Sequence, residues 1–144
     1  PNYGLPDEGA RRATGPAGKL LMRLAAGESY SWEPANEAQG LYWATTYPTS
    51  SVIEMLRLMD RVDASLPLES PQRWLVIYSD QDDVVSPQAI RDTLKQVNAR
   101  DVQTLLVDTS NDTSHHVFTG DIMAPHSTAD TVAAIVDFIR RPVP

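Results

Sequence analysis

Trp74-Leu75-Val76-Ile77-Tyr78-Ser79-Asp80-Gln81-Asp82-Asp83-Val84-Val85-Ser86-Pro87 is the stretch on which the fold turns. Its first five residues form an apolar run of strand length without alternation, which suits a strand buried on both faces, as in a parallel sheet. The acidic turn after it ends at Ser86-Pro87, a good N-cap and first helical residue. Ile90, Leu94 and Val97 then mark the buried face of a helix expected over 87–98. Further on, Thr104 to Val107 reads as a second buried strand, so adjacent parallel strands are expected over 73–79 and 103–108. After a loop from Asp108 to His126, a last helix is expected over 127–140, with Ser127 and Asp130 at capping-box spacing ahead of Val132, Ile135, Val136 and Ile139. Strand, loop, helix, repeated once, is the pattern of an α/β fold with parallel strands and crossover helices. Two such strands leave backbone edges that need neighbours, so the sheet reads as incomplete.

Toward the N-terminus the signals weaken. Residues 1–18 carry three prolines and four glycines and read as a loop, and Lys19 to Ala26 suits a short helix closing at Gly27. The stretch 28–49 reads as irregular, although Tyr30, Trp32, Tyr42, Trp43 and Tyr47 concentrate aromatic surface there. That cluster suits either the packing of a cap or the lining of an apolar pocket. From Ser51 a helix of about four turns follows from Val52, Met55, Leu56, Met59 and Val62. Pro67 and Pro71 then bracket a linker. The expected organisation is a loop and cap-like helical segment over 1–72, followed by strand-helix-strand-helix over 73–144.

Composition narrows the classes of function. With 144 residues, 42% hydrophobic and 22% charged, the chain is expected to fold around a core. The net charge of −7, with no Lys or Arg between Asp101 and Asp137, argues against a nucleic-acid surface. No apolar stretch approaches the roughly 18 residues that suggest a membrane span. Without cysteine there is no disulfide, thiol nucleophile or thiolate metal site. The chain opens at Pro1 without a signal-like segment and is expected to be processed or cut from something longer.

In sheets of this kind, functional groups gather beyond the carboxyl ends of the strands. Two loops qualify, Ser79–Pro87 and the one holding Ser114-His115-His116-Val117-Phe118. If the strands are neighbours, an acid on one loop can reach a histidine on the other. Asp80, Asp82 and Asp83 also suit plain turn chemistry, with carboxylates bonding local backbone. His116 is preferred to His115 because Val117-Phe118 anchors its backbone while the ring faces the cleft. His126 is expected on a surface loop. A metal site is disfavoured, because the Asp and His residues match no calcium-loop or His-Glu-x-x-His spacing.

The segment Val76 to Pro87, with His115-His116 beyond it, resembles the α/β-hydrolase family. There a strand ends, a turn presents the catalytic acid, and a Val and Pro lead into a helix. The resemblance covers roughly the second half of such a fold, a count of elements against the general α/β layout. It implies a serine esterase or lipase type of chemistry, with Asp82 as the acid and His116, 34 positions later, as the base. The order acid before histidine agrees with the family. No Gly-x-Ser-x-Gly elbow occurs, so the serine is expected outside these residues and the isolated chain is expected to be inactive. The resemblance implies no cofactor. Its substrate would be a small ester, and its partner the N-terminal half of the same protein or a second copy docked on the open sheet edge. The alternative is a non-catalytic binding domain built on a partial hydrolase fold.

Overall fold

The computed structural model describes residues 27–108 and 112–142. The chain divides into two compact units, Pro1–Leu66 and Pro67–Pro144. The loop expected over 1–18 and the helix expected over Lys19–Ala26 lie outside the described residues.

In the first unit, strand β1 (Ser29–Ser31), helix α1 (Glu37–Tyr42), strand β2 (Thr46–Pro48) and helix α2 (Thr49–Ala64) follow one another. The stretch 28–49 is therefore not irregular. β1 and β2 pair antiparallel with Tyr30 opposite Tyr47. Three-residue strands are too short to show a period. Cross-strand side-chain pairs hold them instead: the Tyr30 and Tyr47 rings lie 5.3 Å apart, and the Ser31 and Thr46 hydroxyls are hydrogen-bonded at 2.9 Å. Asn36 caps α1 by accepting from the Gln39 amide. α2 starts at Thr49, two residues before the expected start at Ser51, because Thr49 is tied down twice. Its amide donates to the Glu28 carbonyl and its hydroxyl to that of Gly27. Ile53, Leu56 and Met59 are buried, with Val52 packed against the last two, while Met55 and Val62 are half-buried.

In the second unit, strand β3 (Leu68–Tyr78) leads through helix α3 (Pro87–Leu94) to strand β4 (Val97–Leu106) and helix α4 (Pro125–Arg140). β3 and β4 are adjacent and parallel, with Trp74 opposite Val102 and Tyr78 opposite Leu106. The mixed α/β class and the parallel pairing agree with the sequence reading, but the boundaries move. Pro67 and Pro71 do not bracket a linker, since Pro71 lies inside β3. It has no N–H for the ladder, and the register shifts between Ser70 and Arg73. Val97 is the first residue of β4 and not part of a helical face. α3 stops at Leu94, where the Gln96 amide turns back to Thr93 and the Gln96 carbonyl accepts from Leu68, starting the ladder.

Double-sided burial is not observed. Along β4 every second residue is exposed, and Val102 and Leu106 are 37% and 48% accessible. With one neighbouring strand among the described residues and half-buried residues from Arg73 to Ile77, the sheet buries less than its composition suggests. The capping box at Ser127 and Asp130 is also absent. α4 begins at Pro125, whose ring presets a helical first turn, and the Ser127 hydroxyl donates to the Phe118 carbonyl. The other end of α4 is held by Arg73. Its guanidinium donates to the carbonyls of Phe138 and Arg141, at 2.8 and 2.9 Å, and lies 4.3 Å over the Phe138 ring.

Candidate active site

β3 ends at Tyr78 and β4 at Leu106, directly opposite each other, so the loops that follow open on the same carboxyl edge. The Val107 amide donates to the Tyr78 carbonyl at 3.0 Å and extends the pairing to the loop bases. On the first loop, the Asp82 amide donates to the Ser79 carbonyl, and Asp82 Oδ1 accepts from the amides of Val84 and Val85 at 2.8 and 2.9 Å. Val85 is itself buried, so the turn is pinned from below. These bonds fix the carboxylate and aim its second oxygen outward.

That second oxygen, Oδ2, lies 2.9 Å from Nδ1 of His116. The Asp82 side chain is 2% exposed and that of His116 31%, so the pair joins a buried acid to an accessible base. Asp82 Oδ1 is occupied by backbone donors, and Oδ2 is placed to accept the Nδ1 proton. The neutral imidazole then carries its lone pair on Nε2, which has no partner among the described residues. Such an arrangement can take a proton at Nε2 and stabilise the imidazolium through Asp82.

The other acids and histidines named from the sequence are not brought to this pair. Asp80 is an exposed residue ion-paired with Arg91 of α3. Asp83 is exposed and, among the described residues, meets the second loop only through its amide, which donates to the Ser114 carbonyl at 3.0 Å. His115 adopts φ +52° and its buried Nδ1 has no partner among the described residues. His126 is exposed in the first turn of α4, and not on a loop. No group of three or more His, Asp or Glu among the described residues is arranged to hold a metal ion. The aromatics at 30–47 pair in the first unit, Trp32 with Trp43 edge-to-face at 6.3 Å and Tyr30 with Tyr47. Burial and the nearby Tyr30 raise the Tyr47 phenol above its usual value.

The sequence reading missed Asp112. Its carboxylate accepts from the Ser114 hydroxyl, from the Ser114 amide at 3.3 Å, and from the amides of His116 and Val117, both at 3.0 Å. Burial works against its charge, but the Ser114 hydroxyl and the amides of Val117, His116 and Ser114 outweigh burial. Together they hold Asp112 below the usual aspartate value. The available signal was Asp112-Thr113-Ser114, an Asx-turn pattern immediately ahead of the histidines.

Comparison with protein-family models, curated proteins and solved structures gave no match for this chain. Among the described residues, no helix is long and apolar enough to cross a membrane.

Proposed function

We propose that this chain is the acid-and-base half of an α/β-hydrolase-type serine hydrolase, acting on small carboxylic esters with a serine that lies outside these 144 residues. The observation that carries the reading is the 2.9 Å contact between Asp82 Oδ2 and His116 Nδ1, made across the carboxyl edge of a parallel strand pair. In the assembled protein, His116 Nε2 takes the proton of the serine hydroxyl as it attacks the ester carbonyl and returns it to the leaving alkoxide. Asp82 holds the tautomer and stabilises the imidazolium. The segment bearing the serine pairs beside β3, extending the sheet.

A fluorophosphonate probe tests this reading. The expected result is no labelling of the 144-residue chain, and labelling of the full-length protein at a serine outside it, lost in His116→Ala. Labelling of Ser50, Ser51 or Ser114 in the chain alone, abolished by His116→Ala, would make the chain a complete enzyme. A second reading, a non-catalytic binding domain, draws on the exposed Val102 and Leu106 of β4. It predicts that the full-length protein takes no label at all.

A further inference from the structure

We infer that Asp112 is the positioning residue of the Asp82–His116 pair: its carboxylate folds residues 112–117 into the one backbone shape that brings the His116 ring to Asp82. The catalytic meaning of this role rests on the hydrolase reading above.

Asp112 does not meet the imidazole. It meets the backbone on either side of it. The amides of His116 and Val117 converge on Oδ2 together with the Ser114 hydroxyl, and the Ser114 amide turns to Oδ1. The Asp112 carbonyl accepts from the His115 amide at 2.9 Å, closing the turn from the other side. Inside this turn His115 sits at φ +52°, a region that residues with a Cβ adopt uncommonly and keep when their surroundings enforce it. Amides gathered on one carboxylate are such an enforcement, because each would otherwise lose its partner in a site where Asp112 is 3% exposed.

The consequence reaches both attachments of the second loop to the first. Ser114, whose hydroxyl and amide bind Asp112, also offers the carbonyl that accepts from Asp83. His116, whose amide binds Asp112, offers the ring that meets Asp82. Releasing the carboxylate frees the strained turn to relax at His115, which lies between these two residues. The His116 ring then leaves Asp82 although neither residue has changed. The requirement is one of geometry: an oxygen must stand where the donors converge. A charge placed a methylene farther out does not meet it.

The test is nuclear magnetic resonance of the 144-residue chain, following the His116 Nδ1–H proton, whose downfield position and protection from exchange report the bond to Asp82. The unsubstituted chain is expected to show it. Asp112→Ala is expected to lose it while the amide signals of β3 and β4 keep their positions. Asp112→Asn, which keeps an oxygen at the convergence point, is expected to retain the signal, and Asp112→Glu, which keeps the charge but misplaces it, to lose it. Should Asp112→Ala fail to fold, the Asn and Glu variants decide. An undiminished signal in Asp112→Ala, or loss in Asn with retention in Glu, would overturn the positioning role and leave the hydrolase reading standing. Absence of the signal from the unsubstituted chain would overturn the acid–base pair and the positioning role together.

Discussion

The amide of Asp83 donates to the carbonyl of Ser114 at 3.0 Å, so two consecutive residues of the acid loop grip the histidine loop, Asp82 by its side chain and Asp83 by its main chain. A side-chain contact alone leaves two surface loops joined at one point, although each is also tied to its following helix, the first through Asp80 and Arg91 and the second through Phe118 and Ser127. The added main-chain bond makes the two loops one hydrogen-bonded body at the carboxyl edge of β3 and β4. That rigidity is what an acid–base pair needs, since misplacement of about 1 Å can cost on the order of 100-fold in rate.

Asp82→Asn separates the structural work of Asp82 from its chemical work. The amide oxygen can still accept from Val84 and Val85, so the turn survives and stability in urea should fall by no more than about 1 kcal/mol. The NH2 group then faces His116 Nδ1 and favours the opposite tautomer. If the chain works as proposed, ester turnover by the assembled protein should drop on the order of 10⁴-fold in kcat, as expected for loss of the tautomer-setting acid. Asp82→Ala should also destabilise by about 1–3 kcal/mol, because two backbone donors at a buried turn lose their acceptor. Steady-state kinetics would sink the assignment if kcat in Asp82→Asn stayed within about tenfold of the parent.

What the sequence made legible follows from the range of the forces involved. The run Trp74 to Tyr78 and the cap Ser86-Pro87 are local patterns; an acid–histidine meeting follows from them once the strands are taken as neighbours, while the choice of Asp82 over Asp80 and Asp83 comes from the resemblance to the α/β-hydrolase segment. Local chemistry also explains the failures. Pro71 reads as a breaker until the partner strand shows that a register shift absorbs it. β1 and β2 are held by tyrosine and hydroxyl pairs across the gap, which no window of one strand contains. Asp112 carries only a weak local signal, the Asx-turn pattern of Asp112-Thr113-Ser114, which shows a turn but not that the amides of His116 and Val117 also gather on its carboxylate.

Arg73 offers a test of how the second unit holds its last helix. The guanidinium closes α4 by donating to two terminal carbonyls, stacks on Phe138 and approaches Asp101 at 3.5 Å. Arg73→Ala removes these contacts from a largely buried side chain and should destabilise by about 2–3 kcal/mol, from hydrogen bonds to a charged group and the ring contact. Arg73→Lys should recover less than half, because a point charge cannot bridge two carbonyls and cover a ring. Chemical denaturation followed by circular dichroism measures both. Equal stability of the Lys variant and the parent would show that only the charge matters.

The second unit should weaken in acid through Asp112. Its carboxyl is held below its ordinary value of 3.8, so the folded state keeps it ionised at pH values where the unfolded chain binds a proton. Its contribution is therefore fully present above that ordinary value. It is lost as pH falls toward and through the depressed folded value. Urea midpoints between pH 6 and pH 2.5 should fall less steeply in Asp112→Asn than in the parent. Parallel profiles for the two proteins would remove Asp112 from the account of acid sensitivity.

The sheet predicts how the isolated chain behaves in solution. Among the described residues, β3 and β4 each have a single neighbouring strand, although they run for 11 and 10 residues. The outward residues Val102 and Leu106 put apolar surface beside the unpaired backbone of β4. Long, apolar, unpaired edges are templates for further strands, and charged residues, especially Lys, are the usual deterrent. The chain should therefore self-associate reversibly between about 1 μM and 1 mM, the range in which exposed strand edges and apolar surface drive association. Val102→Lys should shift the association midpoint to higher concentration without altering the far-ultraviolet circular dichroism of the monomer. Sedimentation velocity over this range measures both. A chain that stays monomeric at the highest concentration, with Val102→Lys indistinguishable from it, would show that the edges are covered from within the chain itself and that no further strand is needed.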